Sequence, residues 1–130
     1  MKFAILIHGA PYSHQASRSG YLFTRAALAM GHEIYRVFFY HDGVYNANQS
    51  SVAPQDEADI QNEWATLGKE HQLDMVICIS SSLRRGMLDA TEAERYEKTG
   101  ISVSPQFNVS GLGQLIDAGI NADRLITFGA

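Results

Sequence analysis

Cys78 is the single cysteine among 130 residues, and it stands where the apolar run Met75-Val76-Ile77-Cys78-Ile79 gives way to Ser80-Ser81-Ser82-Leu83-Arg84-Arg85-Gly86. A thiol at the exit of a strand, ahead of a turn with two guanidinium groups, is placed where a thiolate can be stabilised and reached. Cys78 is therefore the candidate nucleophile, with Arg84 and Arg85 as candidate thiolate-stabilising groups. An unperturbed thiol, with a pKa of about 8.5, is only a few per cent ionised at pH 7, and a drop of about one unit, worth about 1.4 kcal/mol, raises that fraction several-fold. One cysteine excludes an internal disulfide, a CxxC redox pair and a thiolate-rich zinc site built from this chain alone. Covalent chemistry at Cys78 needs an external partner. The bland alternatives are a buried, inert thiol and arginines that pair at the surface with Asp89, Glu92 or Glu94.

Other motifs carry less. The spacing Cys78-x5-Arg84 matches that of thiol phosphatases, but a phosphate-wrapping loop needs glycine at left-handed positions and residues 79–83 contain none. Asp89 is the one conceivable acid for that chemistry. Gly111-x-Gly113 is half of a dinucleotide fingerprint with no acidic residue about twenty positions further on, so no cofactor is expected. His8, His14, His32, His41 and His71 show no ligand-pair spacing, so no metal is expected either. His8 and His41 remain candidate proton carriers near Cys78.

The elements that must position Cys78 fit one domain over residues 1–130, long enough to bury roughly two-thirds of its unfolded surface without disulfides or metals. A net charge of −4 argues against a broad nucleic-acid or anionic-membrane surface. The first apolar run, Phe3 to Ile7, is too short for a signal-peptide core or a membrane span, and the chain reads as a cytoplasmic protein whose thiol stays reduced.

Phe3 to Ile7, Glu33 to Tyr40 and Asp74 to Ile79 read as strands apolar on both faces. Ala16, Gly20, Phe23, Ala27 and Met30 line one face of a helix that Gly31 stops. Asp56 to His71 reads as a second helix with Ile60, Trp64 and Leu67 inward. Asp89 and Glu92 cap a short helix through Glu97 or Lys98, Phe107 to Val109 is a short strand, Ser110 caps a helix built on Leu112, Leu115, Ile116 and Gly119, and Leu125 to Phe128 is the last strand. Alternating strands and helices imply a mainly parallel sheet flanked by helices, an α/β three-layer sandwich. Sites in such sheets gather at the carboxyl ends of the strands, which brings residues 8–17, 41–54 and 78–86 to one edge. Val44, Tyr45 and Tyr96 fall in loops or on a marginal helix, where apolar groups await a partner.

Three separated segments are similar to the DsrE/TusD sulfurtransferase family: Val37-Phe38-Phe39-Tyr40-His41-Asp42-Gly43-Val44-Tyr45-Asn46-Ala47-Asn48-Gln49, then Cys78 with Leu83-Arg84-Arg85-Gly86, then Ser110-Gly111-Leu112-Gly113-Gln114-Leu115. The resemblance runs from Met1 to Leu125. It implies a DsrE-like (flavodoxin-like) fold and a sulfur relay in which a TusD-like subunit assembles with TusB-like and TusC-like partners. Sulfane sulfur arrives from a TusA-like carrier, rides on Cys78 as a persulfide and passes to a TusE-like acceptor, ending in 2-thiouridine at the tRNA wobble position. DsrE-type relatives serve dissimilatory sulfur oxidation instead, and a phosphatase or a noncatalytic subunit is the remote alternative. Ser80-Ser81-Ser82 departs from the small apolar run the family implies there, altering hydrogen bonding around the sulfur.

Overall fold

A computed structural model describes residues 1–129. Five strands, β1 (Lys2–Ile7), β2 (Glu33–Phe39), β3 (Met75–Cys78), β4 (Asn108–Ser110) and β5 (Arg124–Phe128), form one sheet in the order β4-β3-β2-β1-β5. Every neighbouring pair runs parallel. The helices are α1 (Ala16–Ala29), α2 (Ile60–His71), α3 (Ile79–Arg84), α4 (Ala90–Arg95) and α5 (Gly113–Asn121), with a 3-10 helix over His41–Ala47.

The strand order decides which helix covers which face. From β1 to β4 the chain steps in one direction, and β5 then returns to the far side of β1. Right-handed crossovers that travel in opposite directions put their helices on opposite faces. Accordingly α1 and α2 cover one face, where Tyr21, Ala27, Trp64 and Leu67 meet Ile5, Ile7, Val37, Phe39, Met75 and Ile77. Trp64 is fully buried, edge-on to Tyr21 and Phe39 at centroid distances of 5.6 and 5.2 Å. The two-residue period of a strand turns Leu6, Phe38, Val76 and Cys78 to the other face, against Leu115 of α5 and Tyr40.

Most element ends have a local cause. Gly31, at φ +85°, takes the left-handed conformation that ends α1 at no steric cost. The α2 helix starts at Ile60 rather than Asp56, because the Asp59 carboxylate accepts the Asn62 N–H at 3.1 Å and fixes the N-cap there. Asp89 caps α4 in the same way, on the Glu92 N–H at 2.9 Å. That helix stops at Arg95, short of the expected Glu97 or Lys98, with Glu97 at φ +55°.

Three expectations are corrected. Ser110 ends β4 instead of capping α5, whose N-cap is Leu112 with no side-chain bond. The segment after Cys78, read as a turn, is the helix α3. Val44 is fully buried and Tyr45 packs against the same core, so neither awaits a partner. Gly43 makes that possible: a Cβ there would lie 2.2 Å from the Ile7 carbonyl oxygen, so glycine lets the 3-10 helix press on the end of β1. Tyr96 is 50% exposed.

Candidate active site at the end of strand β3

Strand register gathers four sequence-distant side chains. Phe39 pairs with Ile77 and Ile7 with Phe39, so one step further along places Tyr40 beside Cys78 and His8 beside Tyr40; Cys78 itself pairs with Ser110. His8, Tyr40, Cys78 and Ser110 thus form a row at the carboxyl edge, on the face that carries Leu6, Phe38 and Val76. Tyr40 stacks on His41 at 4.0 Å, and the His8 ring lies 5.7 Å from Tyr40 and 5.5 Å from His41. Burial, and secondarily the neighbouring His41, lowers the His8 pKa, keeping that ring neutral at pH 7, and its Nε2 is buried with no hydrogen-bond partner.

Cys78 is the N-cap residue of α3 and has no exposed surface. Burial pushes its thiol up, but the Ser80 hydroxyl, the Ser81 amide and hydroxyl and the Ser80 amide together pull it further down, and the thiol ends below its ordinary value. The Ser80 Oγ lies 3.4 Å from Sγ. Ser82 donates to the Cys78 carbonyl at 2.8 Å, fixing the strand-to-helix junction.

The candidate arginines are placed differently from each other. Arg85 donates through Nε to Asp42 at 2.8 Å and through Nη1 to the Ser81 carbonyl at 3.1 Å. The His41 N–H donates to Ser81 Oγ at 3.0 Å. Arg85 and Ser81 therefore tie α3 to the 3-10 helix. Arg84 is exposed at the far end of α3 and makes no salt bridge among the described residues. Neither guanidinium is among the groups that lower the Cys78 thiol. Neither pairs with Asp89, Glu92 or Glu94; Glu92 is engaged by Arg95 instead. Residues 79–84, being helical, form no loop that wraps a phosphate.

The serines are what sequence reasoning weighed too lightly. Their signal was present, as three hydroxyls in place of a small apolar run. A second feature it missed is the fully buried lock of Ser17, Asn46 and Trp64: Ser17 donates to Asn46, Trp64 Nε1 donates to Ser17 at 3.1 Å, and Asn46 Nδ2 donates to the Gly9 and Gly43 carbonyls at 3.2 and 2.8 Å. It binds the loop after β1 and the 3-10 helix to α2, holding two of the segments that border the Cys78 row.

The geometry is that of a single thiol, lowered below its ordinary pKa, at the carboxyl edge of a parallel sheet, and known proteins resemble the chain along its whole length. Residues 1–128 match the DsrE/DsrF-like family. The chain belongs to that family. Among its members, the putative sulfurtransferase DsrE of Allochromatium vinosum is 53% identical over 129 residues, covering 99% of each chain. The sulfurtransferase TusD homolog of Pseudomonas aeruginosa is 49% identical, over 99% of this chain and 98% of its own. These relatives place the chain among sulfur-transfer enzymes. The crystal structure of the ychN protein from E. coli shares the fold, at TM-score 0.80 and 18% identity over 98% of this chain and 99% of that one.

No group of three or more His, Cys, Asp or Glu side chains among the described residues is arranged to hold a metal ion. A cavity of about 490 Å³ lies between α3 and the segment after α4, lined by Leu83, Gly86, Leu88, Tyr96, Lys98 and Thr99. Among the described residues, no helix is long and apolar enough to cross a membrane.

Proposed function

We propose that this chain is a persulfide-carrying sulfurtransferase subunit of a cytoplasmic sulfur relay. Cys78 accepts sulfane sulfur from a TusA-like carrier and hands it to a TusE-like acceptor, for 2-thiouridine synthesis at the tRNA wobble position, within a hetero-oligomer that includes TusB-like and TusC-like subunits. The observation that carries this reading is the lone thiol at the carboxyl end of β3, held below its ordinary pKa by hydroxyls and amides although it is buried. In each half-reaction a thiolate attacks the outer sulfur of a persulfide and a second thiolate leaves, so an acidified thiol serves as the departing group. Arg85 contributes by holding Ser81 in place through the Ser81 carbonyl.

The DsrE-type reading, a subunit in sulfur oxidation, draws support from the higher identity to the A. vinosum protein, 53% against 49%. The two share the chemistry of Cys78 and differ in the acceptor. The chain, co-expressed with TusB-like and TusC-like subunits of the same organism and loaded by a persulfurated carrier, is expected to gain one sulfur atom by intact mass, lost on reduction and absent in Cys78→Ser. Transfer onward to a TusE-like acceptor that restores tRNA 2-thiouridine supports the relay reading. Sulfur uptake without that restoration favours the DsrE-type one, and phosphate-ester hydrolysis without sulfur uptake overturns both.

A further inference from the structure

The two sides of Cys78 differ sharply. On one side Cys78 lies in the apolar cluster with Phe38, Tyr40 and Leu115. On the other stands Ser80, an exposed residue whose hydroxyl lies 3.4 Å from Sγ. A persulfide adds a second sulfur to Sγ, and its delivery returns negative charge to that atom. Ser80 is the polar side chain whose hydroxyl the structure puts beside Sγ. As long as Cys78 is a thiol, either atom can donate; once it is a thiolate it has no proton, and the hydroxyl must be the donor.

Resting on the sulfur-carrying role of Cys78, we propose that Ser80 is a catalytic residue of the delivery half-reaction, its hydroxyl donating a hydrogen bond to Sγ as Cys78 departs. In that step the acceptor thiolate attacks the outer sulfur of the Cys78 persulfide. A bond forms between acceptor and outer sulfur, the bond from the outer sulfur to Sγ breaks, and its electron pair stays on Sγ. The proton of the persulfide travels with the transferred sulfur, and nothing is oxidised or reduced overall. Charge therefore grows on the atom Ser80 already touches.

The bond acts in opposite senses on the two halves of the cycle. A thiolate that is better stabilised leaves faster but attacks less strongly, by about threefold for each unit of pKa. Ser80 thereby biases Cys78 towards giving sulfur away. Ser81 is a positioning residue in the same arrangement: it is buried and held by the His41 N–H and by Arg85.

The test uses the full chain with Ser80→Ala and Ser80→Thr. Ser80 is exposed and alanine is the better helix former, so the fold is kept. Three quantities are read: the pH dependence of Cys78 alkylation, single-turnover loading from glutathione persulfide, and delivery from the loaded protein to dithiothreitol. In Ser80→Ala the alkylation curve moves to higher pH. Above that titration, loading rises and delivery falls, each by about threefold for every pH unit the curve has moved, and Ser80→Thr restores the parent on all three. An unmoved titration in Ser80→Ala, or equal slowing of loading and delivery, overturns the assignment. Failure of the parent chain to take up sulfur overturns the sulfur-carrying role, while the alkylation curves still decide whether Ser80 holds the thiolate.

Discussion

The two faces of the sheet are built to different standards. Beneath α1 and α2 lies a dense layer centred on Trp64, Phe39, Tyr21 and Phe107, with its buried polar atoms answered by the Ser17, Asn46 and Trp64 lock. The opposite face has a buried cluster of only four strand residues, and one of them is Cys78. A single nine-residue helix, α5, covers it, joined through Leu115 and through Arg36, which donates to Asp74 at 2.7 Å, to Asp117 at 2.9 Å and to the Gln114 carbonyl at 2.8 Å. Its outer side leaves Ile116 and Ile120 64% and 77% exposed. One face holds the molecule together and the thin one carries the thiol. On the proposed role, a sulfur uncovered for every transfer belongs under the cover that costs least to move.

The largest test of that contrast is Trp64→Ala. Emptying the site between Tyr21 and Phe39 and removing the indole N–H bond to Ser17 is expected to cost about 3–5 kcal/mol in urea unfolding. Trp64→Phe, which keeps most of the packing, costs less. If Trp64→Ala cost no more than a substitution on the α5 side, the two faces would be equally important to stability and the contrast would fail.

A smaller effect is expected at Asp117. The Tyr35 hydroxyl, at 2.7 Å, and then Arg36 lower its pKa. A carboxylate depressed in the folded state stabilises above its unfolded value, and that contribution disappears as pH falls through the folded value. Asp117→Asn should loosen α5 at neutral pH, speeding alkylation of Cys78 several-fold with little change in global unfolding. Acidification towards the ordinary carboxylate range and below should loosen α5 in the parent but not in the variant, read by hydrogen exchange of the α5 amides because the protonated thiol no longer alkylates there. Alkylation that is unchanged in Asp117→Asn would mean that α5 is not what covers the sulfur.

The smallest effects belong to the arginines. Arg85→Gln, by freeing Ser81 and Asp42, should raise the Cys78 titration by less than one unit, and Arg84→Gln by less still. A larger change in Arg84→Gln than in Arg85→Gln would restore direct charge stabilisation over the serine bonds.

Much of this was legible in the sequence because it is written in period and composition. Runs apolar on both faces announced the parallel strands, Gly31 and Asp89 marked helix ends, and a lone cysteine at a strand exit marked the row that strand register assembles at the carboxyl edge. What escaped depends on groups far apart in sequence. Three consecutive serines have poor helix propensity and read as a turn, yet Ser82 bonded to the Cys78 carbonyl and Ser81 bonded to the His41 amide secure α3. Val44 looked like a surface residue because nothing local shows that Gly43 lets its segment sink onto β1. The arginines drew attention as formal charges, whereas the thiol is lowered by hydroxyls and amides whose effect depends on distance. Arg85 was already engaged by Asp42, 43 positions away.

The pairing of β5 with β1 has a practical side. The two strands run in the same direction, with Asp123 beside Lys2 at one end and Phe128 bonded to the His8 N–H at the other. A polypeptide fused ahead of Lys2 therefore departs from the edge remote from Cys78, whereas one fused after β5 emerges at the same edge as the thiol, next to His8. An affinity handle or a fluorescent fusion for following sulfur traffic belongs at the amino end, where it leaves the docking side of the molecule clear.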